Sequence, residues 1–524
     1  MTGAGPAGEV SVDPIGESSV DPIGESSGDP ISETAARLFG VRYVYPQQRY
    51  IIANTLEGRN QIAVLPTGSG KSLCFQLPSQ LLPGLTVVLV PILSLLADQV
   101  RKLDELRIPV GVLRGGQGAE ERGRLLGGVR DGVLKIVYAT PEVMLTRGVR
   151  DLLDGVVVAN LVVDEAHCVC EWGETFRPAY LRLGEVVGAL GPCAVTALTA
   201  TGGPDIISRV REVLFGGADV LLYAANPDRP NISYDVVPVL SKDHALERVA
   251  RSASRPLVVF ARSRKSVERY ARVLRRRLAE REVRFYHAGL DRGERREVEE
   301  WFLASREGIL TATSAYGMGV DKPDIRTVIH ADVPPSPEAY LQESGRAGRD
   351  GGPVRALLLS GPDDVRFAAG LDDVVSRRRY AQMLDYSLSV ASCRRAVLLG
   401  YMGAEAEQCS TCDVCTGSAL DIPEGEEEIL AALAGQRRRF TEEQAAHFLA
   451  GARSYTAWQH GLERYPGYGA LAGWERDDVE ACLQELGRAG KIAAIRWGPW
   501  RGRLTVPRGR RSARARRPEG GGGS

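Results

Sequence analysis

The segment Leu65-Pro66-Thr67-Gly68-Ser69-Gly70-Lys71-Ser72 constrains the fold of this chain more than any other. It follows the apolar run Gln61 to Leu65, which reads as a strand, and opens a helical stretch that begins at Ser72. Glycines let backbone N–H groups turn inward around phosphate oxygens. Lys71 can then reach the outer phosphates, and the Ser72 hydroxyl can ligate Mg²⁺. The helix aims its positive end at the same anion. Downstream, Asp164-Glu165-Ala166-His167 closes the apolar run Val156 to Val163, which reads as a buried parallel strand. Carboxylates at that end of a strand sit where doubly wound sheets place their chemistry. Asp164 suits Mg²⁺, which prefers oxygen ligands, and Glu165 suits a base acting on water beside a terminal phosphate. Two merely solvated acids are the alternative, and Lys71 with Ser72 argue against it.

The rest of the chain alternates strands and helices twice. Strands near Ile62, Val87, Ile136, Val162 and Val195 predict one α/β sheet, and strands near Val258, Val283, Ile309 and Val328 predict a second. Asn226 to Asn231 reads as the linker between them, and tandem sheets suit a nucleotide held in the intervening cleft. At 524 residues the chain has room for about three or four domains. The expected divisions are a leader over 1–35, sheet domains over 36–228 and 229–362, a cysteine-bearing module over 363–418, a last domain over 419–508 and a tail over 509–524. The leader repeats Val12-Asp13-Pro14-Ile15-Gly16-Glu17-Ser18-Ser19 as Val20 to Ser27 and decays from Gly28, with too few apolar groups to offset ordering entropy. It is expected to be disordered.

Formal net charge is zero, so any nucleic-acid surface must come from local asymmetry; arginines from Arg501 to Arg517 crowd the C-terminus. The run Leu81 to Ala97 is broken by Pro83, Gly84 and Pro91, so no membrane partner is expected. The N-terminus has no basic-then-apolar leader, which predicts a cytoplasmic protein (nucleoid-associated if bacterial) whose nine cysteines are not a disulfide framework. Cys393, Cys409, Cys412 and Cys415 follow the spacing C-x15-C-x2-C-x2-C, which suits a closed tetrahedral Zn²⁺ site. A redox pair at Cys412 and Cys415 is the lesser alternative. Cys74, Cys168, Cys170, Cys193 and Cys482 read mostly as small buried hydrophobes.

Gln342 to Asp350 places Arg346 and Arg349 three residues apart, which predicts one helical face and guanidinium groups suited to phosphoryl charge. Near the C-terminus, Glu426 to Leu433 and Arg476 to Leu486 read as helices, Thr441-Glu442-Glu443-Gln444 as a capping box, and Ile492 to Val506 as a hairpin. Trp497 and Trp500 near its turn could unstack a terminal base pair or pack the hairpin on the helices, with neither favoured.

Taken in order, these segments resemble RecQ-family DNA helicases of helicase superfamily 2 over roughly 36–418, more weakly to about 508. The resemblance rests on Thr67 to Ser72, Pro91 to Gln99, Asp164 to Gly173 with Phe176-Arg177-Pro178, and Ala197 to Thr201. Tyr286 to Leu290, Tyr316 to Pro323 and Gln342 to Gly351 complete it. It implies two tandem RecA-like domains, a helical zinc-binding module and a winged-helix domain. It also implies hydrolysis of ATP with Mg²⁺ by Lys71, Asp164, Glu165, His167, Arg346 and Arg349, coupled to 3′-to-5′ movement on single-stranded DNA and unwinding of duplex DNA in repair or recombination. Gln48 takes the place of the glutamine that reads adenine, beside Tyr45 where the family has a basic residue. Trp172, Phe176 and Arg177 occupy the aromatic-rich loop that couples DNA binding to hydrolysis, with Glu171 and Glu174 replacing polar residues. His167 takes the position that senses nucleotide state. Single-strand-binding or repair proteins are further conceivable partners that the residues do not specify. A strand-annealing protein with a vestigial ATPase and an RNA helicase are the competing readings. Intact Lys71, Asp164, Glu165 and arginines oppose the first; the aromatic-rich loop and zinc module oppose the second.

Overall fold

The computed structural model describes residues 28–66, 68–91, 96–146, 155–171, 177–200, 202–316, 322–406 and 408–507. Two parallel sheets organise it. The first has seven strands, β1 Gln61–Val64, β2 Leu85–Leu89, β3 Val110–Leu113, β4 Ile136–Ala139, β5 Val158–Val163, β6 Ala194–Thr199 and β7 Leu221–Ala224, in the order β3-β4-β2-β5-β6-β1-β7. The central strands are buried on both faces, as a helix-covered parallel sheet requires. β6 lies between β5 and β1, and its end binds both neighbours: Ala166 N–H donates to the Leu198 carbonyl at 2.8 Å and Leu65 N–H to Thr199 at 2.9 Å. The phosphate-loop and acidic segments therefore leave the sheet one strand apart on the same edge.

The second sheet has six parallel strands, β8 Ile232–Pro238, β9 Leu257–Phe260, β10 Val283–Tyr286, β11 Ile309–Ala312, β12 Thr327–His330 and β13 Val354–Ser360, in the order β10-β11-β9-β12-β13-β8. The sequence reading lacks β3, β7, β8 and β13. β3 alternates half-buried and buried positions, β7 alternates half-buried and exposed ones, and β8 carries Asp235 and ends in Pro238. A solvated edge does not produce the apolar run that marks a central strand.

Two expectations need correction. The expected leader is structured over its last residues, because Pro30–Phe39 is a helix whose N-cap Asp29 accepts from Ser32 N–H at 2.9 Å, while residues 1–27 lie outside the described residues. The decayed third repeat supplies an Asp-Pro start, and Ser32 replaces the glycine that interrupts the earlier repeats. Ile31 and Ala35 are buried beneath it. Arg346 and Arg349 are not on a helix. The helix Pro337–Ser344 stops before them, and the chain turns through Gly348 at φ +58°.

The helices Val374–Leu388 and Arg394–Tyr401 carry the chain to the cysteine loop. A last unit follows, with helices Glu426–Gly435, Glu442–Ala450, Tyr455–His460 and Arg476–Arg488 around a separate core, and a hairpin of β14 Ala493–Ala494 and β15 Leu504–Thr505. Thr441 and Gln444 form the expected capping box. Among the described residues, no helix is long and apolar enough to cross a membrane.

Candidate nucleotide and metal sites

β1 runs into Leu65, fully buried in the core, and the chain then folds through Gly68 and Gly70 at φ +85° and +75°. Those angles favour glycine. At Gly70 a Cβ would also lie 2.5 Å from Gln48 Nε2. Gln48, from the helix Pro46–Leu56, donates to the Ser69 carbonyl at 2.9 Å and accepts from Tyr45 N–H at 3.0 Å. It thus ties its helix to the loop. Ser69 Oγ donates to the Pro66 carbonyl at 2.7 Å, and Ser72 precedes the helix Leu73–Leu81. Thr67 lies outside the described residues.

Asp164 and Glu165 emerge beside this loop. Glu165 has φ +50°, a conformation that costs a non-glycine residue about 1 kcal/mol or more, and its N–H donates to Asp164 Oδ1 at 2.9 Å. Lys71 Nζ is 3.5 Å from Glu165 Oε1, and His167 Nδ1 is 3.4 Å from Glu165 Oε2 and 3.0 Å from Thr199 Oγ1. Burial opposes charge on Glu165, but Lys71, His167 and Arg346 outweigh it and hold its carboxyl below the usual range. Burial and the neighbouring Glu165 carboxylate push Asp164 up to about 6 despite Lys71. Lys71 Nζ and Glu165 Oε2 are buried without a hydrogen-bond partner. Unsatisfied charged groups in a cleft fit an absent polyanion and its cation.

The opposite wall comes from the second sheet. Arg346 and Arg349 line the same cavity of about 670 Å³ as Gly68, Lys71, Asp164 and Glu165, and a Cβ built on Gly68 would lie 4.0 Å from Arg349 Cδ. Arg346 is nearly buried, and that burial lowers its pKa against the opposing pull of Glu343. The turn carrying both arginines is fixed from behind. Arg229 donates to the carbonyls of Gly345, Ala347 and Gly348 at 3.1, 3.2 and 2.9 Å, and Asn231 to those of Gly348 and Gly352 at 3.0 and 2.8 Å. The sequence reading treats Arg229 and Asn231 only as linker. No local pattern marks a residue whose partners lie more than a hundred positions away.

The four cysteine sulfurs of Cys393, Cys409, Cys412 and Cys415 lie within 4.8 Å of one another, with Cys393 and Cys412 Sγ 4.0 Å apart. Thiolates about 2.3 Å from one ion make a tetrahedron of that size, and Cys415 N–H points to Cys412 Sγ at 3.4 Å. Arg394, buried next to Cys393, donates to Asp413 at 2.9 and 3.2 Å, and Asp413 accepts from Val236 N–H of β8 at 3.0 Å. The cysteine loop is thereby fastened to the second sheet. Of the other cysteines, Cys74, Cys168 and Cys482 are buried, and Cys170 and Cys193 are half-buried.

Arg177, Trp497 and Trp500 do not line the cavity themselves, although Arg177 bonds to Pro91, which does. Arg177 donates to the Pro91 carbonyl and approaches Glu142 at 3.7 Å. Trp172, Phe176 and Glu174 lie outside the described residues, as do most of the C-terminal arginines. Trp497 and Trp500 project from the hairpin turn, 84% and 46% exposed, so neither indole is buried in the core of the last unit. Arg438, at φ +61°, stacks over Trp500 at 5.2 Å.

The fold and cleft define a tandem-sheet nucleotide hydrolase of the helicase type. Family comparisons agree: residues 45–208 match the DEAD/DEAH box helicase model, 241–351 the helicase conserved C-terminal domain, and 370–416 the RecQ zinc-binding domain. The chain is 32% identical over 451 residues to ATP-dependent DNA helicase RecQ of Bacillus subtilis, covering 83% of this chain and 76% of that protein. It is 34% identical to ATP-dependent DNA helicase RecQ of Pasteurella multocida, covering 74% of this chain and 61% of that protein. The crystal structure of the DUF1998 helicase MrfA bound to DNA superposes with a TM-score of 0.54 at 18% identity, covering 74% of this chain and 57% of that one. The chain belongs to the RecQ family of ATP-dependent DNA helicases. ATP and zinc follow as its ligands from the family and from the four-cysteine cluster.

Proposed function

We propose that the protein hydrolyses Mg-ATP between its two sheets to move 3′-to-5′ along single-stranded DNA and separate the duplex ahead, in DNA repair or recombination. The observation that carries this reading is Lys71 Nζ, buried without a hydrogen-bond partner and facing arginines supplied by the other sheet. Lys71 and the loop N–H groups hold the outer phosphates. Bound Mg²⁺, on Ser72 and Asp164, would neutralise phosphate charge. Glu165, ionised at neutral pH, accepts a proton from the attacking water. Arg346 and Arg349 stabilise the charge on the transferred phosphoryl group, and because they belong to the second sheet, their engagement couples turnover to closure of the cleft. His167, between Glu165 and Thr199, reports nucleotide state to the end of β6. Gln48 reads adenine while bracing the loop. Arg177 with the aromatic-rich loop contacts single-stranded DNA. The last unit acts as a winged-helix domain on the duplex, with Trp497 and Trp500 at the fork. We place the protein in the cytoplasm, at the nucleoid if the cell is bacterial.

ATP hydrolysis by wild type and Lys71→Ala, with and without single-stranded DNA, tests this reading. DNA-stimulated turnover that disappears in the variant supports it. DNA binding without turnover in the wild type would overturn it in favour of a strand-annealing protein.

A further inference from the structure

The last unit is not simply tethered beyond the cysteine loop. It is clamped to the back of the second sheet domain by two helix ends of opposite charge. The helix Arg264–Leu278 ends in Arg275, Arg276 and Arg277, and the helix Arg476–Arg488 begins after Glu475 with Asp477 and Asp478 in its first turn. Each set of charges complements its own helix dipole, and the two ends face each other. Arg277 grips Asp478 with both terminal nitrogens, at 2.7 and 3.2 Å, and reaches Glu475 at 3.0 Å. The side chains of Arg277 and Asp478 are each 3% exposed. Ser241, the N-cap of the helix Lys242–Ser252, donates its hydroxyl to Asp478 at 2.7 Å while accepting from His244 N–H.

The clamp extends on both sides of this pair. His244 stacks on Trp474 with ring centroids 3.5 Å apart and planes 15° from parallel. Arg276 pairs with Glu475 at 2.7 Å, Arg366 with Glu485 at 2.5 Å, and Arg248 with Glu424 at 2.8 Å. In every ion pair the arginine lies on the second sheet domain or the helix just after it, and the acid on the segment from 424 onward. A forked guanidinium on a carboxylate fixes orientation as well as distance, and a buried pair is poorly screened by salt.

We infer that Arg277 and Asp478, with the flanking pairs, are positioning residues for duplex separation: they make the last unit move as one body with the second sheet domain. This rests on the helicase reading above. A cleft that opens and closes moves the second sheet against the first. A rigidly clamped last unit carries its exposed Trp497 and Trp500 through the same stroke, whereas a loosely tethered one leaves them behind.

The test uses the full chain as wild type, Arg277→Asp, Asp478→Arg and the double charge swap. Three quantities are read: hydrogen exchange at the facing ends of helices Arg264–Leu278 and Arg476–Arg488 without DNA, DNA-stimulated ATP turnover, and unwinding of a 3′-tailed duplex. Each single variant should exchange faster at both ends, keep turnover within about twofold, and unwind about tenfold more slowly, the scale expected of mispositioning without loss of chemistry. The swap should restore exchange and unwinding together. Faster exchange with undiminished unwinding would overturn the inference, as would parallel loss of unwinding and turnover, or failure of the swap to restore either. Should Arg277→Asp fail to fold, Glu475→Gln removes the pairs to Arg276 and Arg277 while leaving Arg277 on Asp478, and the same outcomes apply to it. Wild type that hydrolyses ATP on DNA and unwinds nothing would instead sink the helicase reading, while the exchange measurement still reports the clamp.

Discussion

At the edge of the first sheet, Lys71 Nζ and Glu165 Oε2 are buried with no hydrogen bond, and Asp164 sits against a second carboxylate. At the edge of the second sheet, the backbone that carries Arg346 and Arg349 is held by five hydrogen bonds from Arg229 and Asn231. Both edges come from the same parallel architecture. At the first edge the acting side chains make ion pairs with one another; at the second the backbone beneath the acting side chains is fixed in advance. The difference follows from their tasks. Groups that hold phosphate and metal keep hydrogen-bonding capacity for the ligand, while groups that act on a transient charge must already be in place when it appears. The contrast predicts that substitutions at the first edge disturb both chemistry and stability, and substitutions behind the second disturb geometry.

The largest effects should come from the acting groups themselves. Glu165→Gln and Arg346→Ala should each lower DNA-stimulated ATP turnover by about 10²- to 10⁵-fold while equilibrium nucleotide binding persists. Turnover above about a tenth of wild type in Glu165→Gln would be too high for a general base, whose loss typically costs 10²-fold or more. If Arg346→Ala instead weakened nucleotide binding with turnover at saturation unchanged, the second edge would be a binding wall, and the contrast between the edges would fail.

A smaller effect is expected behind the arginines. Arg229→Ala removes the donor to three carbonyls in the turn. Leaving them unpaired should lower stability by about 1–3 kcal/mol and turnover by about tenfold. Arg229→Lys, with one ammonium in place of a fork, should recover only part of the rate, measured as kcat at saturating ATP. A loss confined to KM would place Arg229 in nucleotide binding rather than in support of the arginine turn.

How much of this was legible beforehand divides along the same line. Lys71, Asp164 and Glu165 are marked in the sequence because phosphate chemistry demands particular residues within a few positions of a strand end. The zinc cysteines are marked for the same reason, their spacing reflecting the ion. Support residues leave no such mark. Arg229 sits in a Pro-flanked segment that reads as linker, and its partners are 116 to 119 residues away. The turn that carries Arg346 and Arg349 is not legible from spacing, because a three-residue interval also fits a helix; Gly348, tight against Val354 and Asn231 at positive φ, marks the turn in the structure. The helix at Pro30 does not stand out in the sequence, because Asp29-Pro30-Ile31 repeats the preceding units and a single change, Ser32 for glycine, distinguishes it.

The pH dependence of stability is the most direct probe of the first edge. Burial and Glu165 raise Asp164 from 3.8 to about 6 in the folded chain. Between those values the folded protein holds a proton that the unfolded chain has released, so stability falls as pH rises through that window. Above it the folded state carries the whole penalty. Glu165 has the opposite sign: its lowered carboxyl contributes stability above its ordinary value and loses it as pH falls through the folded one. Asp164→Asn should therefore stabilise the nucleotide-free protein at neutral pH by about 1–3 kcal/mol and flatten its stability between pH 4 and 6, while abolishing hydrolysis. Glu165→Gln should not stabilise it. Thermal midpoints of both variants across pH 4 to 8 check the signs. A destabilised Asp164→Asn at neutral pH would mean that Lys71 already compensates Asp164 fully, and the first edge would then be as settled in advance as the second.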